Sequence, residues 1–400
     1  MNVLVVSQYF APEPGATQNR LAAFADGLVE RGHRVTVICE QPNHPAGVFH
    51  PGYGRRPIVT ERDGALTIYR LWVATSPRKT TARRLAFYGS FAAGAAATVL
   101  VKRRHDVCFA SSPPLPGVLA VCDAARARRT PVVVDVRDIW PAAAQALGEL
   151  SNRRVISALE HAERRLYRQA RRVTATTRPF CRHIDRVAGM SRSVHLPNGA
   201  LDDLVAHAAG SPPLRDEFVV GYAGNLGIAQ GLGIALDAAQ ELRGSIARFV
   251  LVGDGADGDN LRAEIARRGL TDVIEVRPGI PVAEVGAFLR SCDALLVPLR
   301  DHPLLADFIP SKLYDAMAVG RPALVAARGE AAALTTGCGA GIVVEPEDGT
   351  GLATAVRYLI DSPSLARNLG RAGREAAAGL TRSKQVDVLE RVLREAIFSS

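Results

Sequence analysis

The segment from Asp307 to Asp315, which reads DFIPSKLYD, combines residue types and spacing that are suited to binding a charged ligand. Pro310 and Ser311 favour the start of a helix, and we expect Ser311 to cap its free N–H groups. A helix start carries partial positive charge, and Lys312 adds a full one. The segment therefore predicts a binding site for a diphosphate.

Two carboxylates bracket this predicted helix start. Asp315 follows one turn later, where its carboxylate can accept two hydrogen bonds from a ribose diol, and Asp307 precedes the helix, where it can accept them from sugar hydroxyls. Leu313 is assigned to the same donor-binding segment. The alternative is an ordinary capped amphipathic helix with Leu313, Met317 and Val319 in the core.

Two glycine-bearing loops follow predicted strands at 218–222 and 248–252. Backbone N–H groups in such loops can bind phosphate oxygens, because glycine lets the oxygens approach closely. The loops are expected at one edge of a sheet, where ligands of such folds bind. Tight turns without a chemical role are the alternative. The residues assigned to donor binding here are Gly224, Asn225, Gly253 and Gly255.

The rest of the chain alternates short apolar runs with amphipathic stretches. This rhythm predicts an α/β fold with doubly wound parallel sheets. Four hundred residues exceed the usual size of a single core, so we expect two Rossmann-like domains with a cleft between them, at 1–205 and 206–380. The expected strands are 3–6, 35–38, 65–71, 107–110, 132–136, 173–176, 193–196, 218–222, 248–252, 273–276, 294–297, 322–326 and 341–344.

Charge and cysteine content narrow the class of protein. The net charge of +9 favours an acidic partner, but no aromatic residues interleave with the basic ones, so we expect no nucleic-acid binding. The six cysteines are scattered, which predicts neither disulfides nor a metal site and favours a reducing compartment. No secretory signal pattern opens the sequence, so we expect a protein that works in the cytoplasm or on the cytoplasmic face of a membrane. We expect no cofactor.

Further motifs accompany the acid-x7-acid segment, which is followed by AMAVGRP. The earlier motifs are GHRVTV (32–37), PNHPAG (42–47), SSPPL (111–115), DVRDIWP (135–141), LPNG (196–199), YAGNLG (222–227) and LVGDG (251–255). These motifs, in this order, resemble those of family 4 glycosyltransferases. The resemblance is closest to the WbuB-like bacterial branch that builds surface polysaccharides.

The resemblance implies a GT-B fold, in which the C-terminal helix (381–400) packs back on the N-terminal, acceptor-side domain. It also implies a retaining, metal-independent transfer of a sugar, expected from a UDP-linked donor, to a glycan, lipid-linked or small-molecule acceptor. Both signature acids are Asp here, one methylene shorter than the Glu of the family. Many relatives carry Arg and Lys in the first glycine loop, whereas this chain has Asn225 and Gln230, so Lys312 has more charge to stabilise.

First-domain residues take their roles from the same resemblance. Arg137 and Asp138 join Lys312 and Asp307 as catalytic candidates, although a structural ion pair at a strand end is the alternative for the first two. Gly15 is assigned to close approach of phosphate or acceptor, or else is a plain turn glycine. The acceptor candidates are His44 and Trp140.

The acceptor stays open at this stage. Leu85 to Val101 is a 17-residue stretch without charge, and eleven arginines lie between 153 and 192. The stretch is either a buried helix or one that contacts an anionic membrane peripherally. A soluble acceptor such as an aminoglycoside or nucleoside, a nucleotide-sugar epimerase of the same fold, and a non-catalytic sensor of nucleotide sugars are the alternatives.

Overall fold

The computed structural model describes residues 1–13, 15–44, 46–78, 80–142, 145, 150, 152–207 and 216–398. These residues form two compact units. The first is Met1–Pro197 together with the chain from Ser383 onward, and the second is Asn198–Arg382. The sequence prediction placed this boundary at 205 and began the final segment at 381.

The first unit is an eight-stranded sheet with helices on it. Its strand order is β3-β4-β2-β1-β5-β6-β7-β8, and all neighbours are parallel except β3 and β4. The strands are β1 Asn2–Val6, β2 Arg34–Glu40, β3 Ile58–Asp63, β4 Leu66–Leu71, β5 Val107–Ser112, β6 Val132–Val136, β7 Arg172–Ala175 and β8 Ser193–His195. The helices are α1 Ala16–Glu30, α2 Thr81–Val101, α3 Leu115–Ala127, α4 Arg153–Gln169 and α5 Arg178–Ala188.

The second unit is a six-stranded, wholly parallel sheet of order β11-β10-β9-β12-β13-β14. Its strands are β9 Phe218–Ala223, β10 Ala247–Val252, β11 Ile274–Arg277, β12 Ala294–Pro298, β13 Ala323–Ala326 and β14 Gly341–Val344. Its helices are α6 Asp202–Ala206, α7 Gly233–Glu241, α8 Gly258–Arg268, α9 Val282–Ser291, α10 Ser311–Val319, α11 Glu330–Cys338, α12 Gly349–Asp361 and α13 Pro363–Ala378, with 3₁₀ turns at Ile228–Gln230 and Pro303–Asp307. The prediction of two Rossmann-like α/β halves is confirmed.

Strand β3 was not predicted from the sequence. Its residues, IVTERD, are mostly exposed, and it pairs with β4 alone at the edge of the sheet. Central strands such as β1 and β5 are covered on both faces and show continuous apolar runs, which is why they were predicted correctly. An exposed antiparallel edge strand has no such pattern.

The last helix, α14 (Arg382–Phe398), completes the core of the first unit. Val386, Leu389 and Leu393 are almost completely buried in the cluster that also holds Val3 and Phe24. Gly27 of α1 permits this packing, because a Cβ at that position would lie 2.7 Å from the Val386 side chain. The helix is therefore part of the N-terminal sheet unit although 185 residues of the second unit precede it in sequence.

A buried ion pair ties α1 to the centre of this sheet. Arg20 and Asp135 are 1% and 0% exposed, and the guanidinium lies 3.1 Å from the carboxylate. Asp135 also accepts a 2.8 Å hydrogen bond from the Thr174 hydroxyl, while Arg20 donates to the carbonyls of Leu196 and Pro197. Neither Arg20 nor Asp135 has a buried side-chain nitrogen or oxygen without a hydrogen-bond partner, which the burial of an ion pair requires. The pair fixes the carboxyl end of β6, two residues before Arg137.

His33 joins the end of α1 to the C-terminal helix. Its Nε2 lies 2.9 Å from Glu390 Oε1, and its backbone N–H closes the end of α1 by donating to the Leu28 carbonyl. We expect His33→Ala to lower the free energy of unfolding by about 1–2 kcal/mol without changing activity, because one hydrogen bond to a carboxylate is lost. Urea unfolding measures this, with exposed His207→Ala as the control. An unchanged midpoint would show that the contact contributes nothing.

Helix α2 is one-sided. Phe91, Ala95 and Val99 are buried, and Phe91 packs against Gly117 of α3, whereas Leu85 and Val101 are 68% and 82% exposed. The length and apolar composition of this helix would allow it to cross a membrane, but core helices of soluble proteins share both features. Only 22% of its most apolar 18-residue window is buried. The buried-helix interpretation thus applies to one face.

Candidate active site

The two glycine loops of the second unit meet at the carboxyl ends of β9 and β10. Gly224 N–H donates to the Val252 carbonyl at 2.9 Å, and Leu226 N–H donates to that of Asp254 at 2.9 Å. Gly224 and Gly253 have φ of +145° and +154°, and a Cβ on Gly253 would lie 1.8 Å from Gly224 O. Glycine is therefore required at both positions, and the loops form one continuous backbone surface.

Lys312 reaches this surface from α10. Its Nζ donates to the Tyr222 hydroxyl at 2.8 Å and lies 4.2 Å from the centre of the Tyr222 ring. A Cβ on Gly224 would be 3.3 Å from the same nitrogen, so the ammonium lies against the glycine loop. The Tyr222 hydroxyl in turn donates to Asn225 O at 2.6 Å. Burial lowers the pKa of Lys312 to about 8, against the opposing effect of Asp315.

The start of α10 differs from the prediction in one respect. The helix begins at Ser311 with Pro310 in the cap position, and no side-chain cap bond is made. The predicted cap at Ser311 is wrong, because Ser311 is already the first helical residue. The N-terminal turn therefore has no capping side chain to compete with an anion. Leu313 is fully buried and faces the core, and its N–H donates to Pro310 O at 3.0 Å.

Asp315 carries a carboxylate oxygen that needs a partner. Its Oδ1 is buried, and no hydrogen-bond partner for it occurs among the described residues. Burial raises the pKa of Asp315 to about 6, although Arg382 and Lys312 counteract this effect. Unsatisfied buried polar atoms are rare in folded proteins. A ligand hydroxyl at this position would satisfy the oxygen.

Neutral amides occupy the first glycine loop. Asn225 Nδ2 and Gln230 Oε1 lie 2.5 and 2.6 Å from the position of a Cβ on Gly227, so both amides lie beside this glycine. Gln230 Oε1 is buried and has no partner in the part of the chain that the structure describes. Asp307 ends the 3₁₀ turn four residues before α10, with a partly exposed side chain.

Arg137 of the first unit holds loops in place. Its guanidinium donates to Ser111 Oγ at 2.8 Å, to Pro113 O at 2.6 Å and to the Thr17 hydroxyl. Burial lowers its pKa to about 10, so it remains charged at neutral pH. Among the described residues it forms no ion pair with Asp138 within 4.0 Å, although the charge of Asp138 partly offsets the lowering of the Arg137 pKa. Arg137 fixes the loop after β5 and the start of α1.

Asp138 has a free carboxylate oxygen, like Asp315. Its Oδ1 is buried and makes no hydrogen bond to the residues that the structure covers. Burial raises the pKa of Asp138, partly offset by the charge of Arg137. The backbone N–H of Trp140 donates to the backbone carbonyl of Asp138 at 3.1 Å. The Trp140 side chain is partly buried.

Glu13 has a buried carboxylate that the sequence analysis did not single out. It is 2% exposed, and its Oε1 accepts from the backbone N–H groups of Asn43 and His44 at 2.7 and 2.8 Å. Its Oε2 is buried without a partner in the described ranges. The His44 ring is exposed and packs edge-on against Tyr9 at 6.0 Å. The signal was an acid between two prolines just before Gly15, whose φ is +153°.

Comparisons with known proteins agree with this geometry. Residues 15–199 match the model described as "Glycosyl transferase 4-like domain", and residues 208–376 match "Glycosyl transferases group 1". A relative from Escherichia coli K12, the "Putative colanic acid biosynthesis glycosyl transferase WcaI", is 25% identical over 91% of this chain and 93% of its own.

Solved structures share the fold over the whole chain. Sucrose-phosphate synthase from Thermosynechococcus elongatus has a TM-score of 0.78 at 17% identity, covering 100% of both chains. Anabaena Alr3699/HepE in complex with UDP and glucose has a TM-score of 0.71 at 17% identity, covering 98% of this chain and 99% of its own. The chain belongs to the family 4 glycosyltransferases and has their GT-B fold.

Proposed function

We propose that this enzyme transfers a sugar from a nucleoside diphosphate donor to a hydroxyl of a cell-surface polysaccharide under construction. The observation that carries the proposal is the partly buried Lys312 ammonium, held by Tyr222 against the backbone of Gly224. The polysaccharide assignment is supported by a relative, matched over 91% of this chain and 93% of its own, whose name concerns colanic acid biosynthesis.

The charge of the leaving group is the main chemical problem. When the bond from the sugar to the diphosphate breaks, negative charge grows on a phosphate oxygen. Lys312 and the uncapped N–H groups of α10 supply positive charge at one place, in a site shielded from water. Asn225 and Gln230 are neutral and cannot share this role, whereas the Lys312 ammonium lies against Gly224 of the first glycine loop.

We further propose retention of the anomeric configuration without a metal ion. The acceptor oxygen bonds to the anomeric carbon on the face that the leaving phosphate oxygen departs from. The acceptor proton passes to that phosphate oxygen, so the products are the glycoside and the protonated nucleoside diphosphate. Asp138, with its unsatisfied buried oxygen, is the first-unit carboxylate proposed to orient the acceptor hydroxyl.

The choice of donor base is proposed from the resemblance to the family and from the UDP complex of a structural neighbour. Thermal unfolding with UDP, GDP, ADP and dTDP tests it, since a ligand of the folded state raises the melting temperature. UDP should give the largest rise. A larger rise with another nucleotide would replace uridine in the proposal, without affecting the diphosphate site.

Product analysis tests the activity itself. The enzyme should release nucleoside diphosphate and form a glycoside, with retained anomeric configuration by NMR, only when an acceptor is present. The reaction is run in parallel with a lipid-linked glycan and with a soluble aminoglycoside as the acceptor, which distinguishes the two acceptor classes. A new sugar isomer formed from donor alone would establish the epimerase alternative instead, and a lack of turnover with every donor and acceptor would support a sensor.

Donor binding should depend on pH on both sides of neutrality. Asp315 accepts ribose hydroxyls when ionised, and its pKa is about 6, so affinity should fall below that pH. Lys312 binds phosphate when protonated, and its pKa is about 8, so affinity should fall above that pH, by up to about tenfold per unit. Isothermal titration from pH 5 to 9.5 measures this. A flat profile in the wild type would contradict both roles.

A further inference from the structure

A groove lined by arginines lies in the first unit, away from the predicted chemistry. It has a volume of about 1360 Å³, and its lining includes nine arginines and one aspartate. Asp106, the single acid, already accepts a 2.7 Å hydrogen bond from the Asn2 N–H. The groove therefore concentrates positive charge on a chain whose total net charge is +9.

Most of these arginines lack a carboxylate partner. Arg165 pairs with Asp123 at 2.6 Å and Arg394 with Glu390 at 2.6 Å. For the other seven, no carboxylate lies within 4.0 Å in the part of the chain that the structure describes. Some of them are fixed by backbone carbonyls instead, as when Arg168 donates to Ala188 O at 3.0 Å. Their charges are thus held in place without being neutralised.

The groove is at the opposite edge of the sheet from the candidate site. Its lining includes His105 and Asp106 before β5, Thr130 and Pro131 before β6, and Arg171 before β7. These are the amino ends of strands whose carboxyl ends lead to Pro113 and Arg137. A five-residue strand separates the two edges by roughly 17 Å. One diphosphate donor cannot occupy both.

We propose that this groove is a second, non-catalytic binding site for clustered phosphate groups. Arginine suits this ligand, because the guanidinium fork donates two parallel hydrogen bonds to phosphate oxygens. The phosphates come either from a free polyphosphate or from lipid headgroups. An exposed apolar side chain of the groove lining, Phe398 at 78% exposure, suits the lipid source.

The test uses the full-length protein with its donor site saturated by nucleoside diphosphate. The groove variant is Arg126→Gln/Arg164→Gln/Arg171→Gln; these three side chains are exposed and make no hydrogen bond or ion pair to the described residues. The control, Arg55→Gln/Arg62→Gln/Arg182→Gln, removes the same charge from exposed arginines outside the groove. Inorganic tripolyphosphate binding is measured by calorimetry. Vesicle binding is measured by flotation with phosphatidylglycerol–phosphatidylcholine or phosphatidylcholine alone.

The groove variant should bind tripolyphosphate, anionic vesicles or both at least about tenfold more weakly than the wild type, whereas the control should not. Both variants should keep the wild-type unfolding midpoint and transfer rate. Loss of vesicle binding alone identifies lipid headgroups, and loss of tripolyphosphate binding alone identifies a soluble phosphate. Loss of both supports a phosphate site that accepts either source. Wild-type binding of neither probe at low salt, or equal binding by the groove variant, would overturn the proposal. The binding of tripolyphosphate and of vesicles can be measured whether or not the proposed transfer reaction is correct.

Discussion

Lys312→Ala should lower kcat/KM for sugar transfer by roughly 10³-fold, because one preorganised cation at a developing charge contributes about 3–4 kcal/mol to transition-state stabilisation. The side chain is held by Tyr222 against Gly224 at the start of α10, so its charge needs no reorganisation during the reaction. The fold should survive, since a buried lysine with a lowered pKa does not favour the folded state. Steady-state kinetics and urea unfolding measure the two effects.

Two matched variants separate charge from position. Tyr222→Phe keeps the ring beneath the ammonium but removes the 2.8 Å hydrogen bond to it. It should lower kcat/KM by about tenfold, in line with the loss of one hydrogen bond to a charged group. Lys384→Ala removes an exposed lysine of the C-terminal helix and should change nothing. Equal activity of Lys312→Ala and wild type would refute the diphosphate role.

Asp315→Ala should raise the dissociation constant of the donor nucleotide by roughly 100-fold, because two hydrogen bonds from the ribose to a carboxylate are lost. The buried Oδ1 lacks a partner among the described residues and is the acceptor that the ribose would use. Asp315→Asn keeps one acceptor oxygen and should lie between Asp315→Ala and the wild type. Calorimetry with the nucleoside diphosphate measures the loss, which should appear in KM more than in kcat.

Asp307→Ala is the control for Asp315→Ala, because Asp307 lies at the other end of the segment from Asp307 to Asp315. Its side chain precedes α10 and is assigned to sugar hydroxyls, so affinity for the nucleoside diphosphate without sugar should stay near that of the wild type. Transfer or the choice between sugars should change instead. If Asp307→Ala weakens nucleotide binding and Asp315→Ala does not, the two assignments must be exchanged.

Most strands of the two sheets could be predicted from the sequence, because parallel strands that are covered on both faces are apolar throughout. Strand β6 at 132–136 and strand β14 at 341–344 were bounded correctly from this pattern. Strand β3 was missed because an exposed edge strand has no continuous apolar run. The Ser311 cap was predicted one residue too late, since Pro310 takes the cap position itself.

The contacts that position the site were beyond reach of the sequence because they join distant residues. Tyr222 and Lys312 are 90 positions apart, and Arg20 and Asp135 are 115 apart. The motif order identified Arg137, but only the structure shows that its guanidinium donates to Ser111, Pro113 and Thr17. Glu13 had no periodic or motif signal beyond its flanking prolines.

We propose that Lys312 stabilises the terminal phosphate of the donor diphosphate. The most direct measurement compares the affinities of the preferred nucleoside diphosphate and its monophosphate for the wild type and for Lys312→Ala. The wild type should bind the diphosphate at least about tenfold more tightly than the monophosphate, and the variant should bind the two almost equally. A preference for the diphosphate that is as large in Lys312→Ala as in the wild type would contradict this role of Lys312.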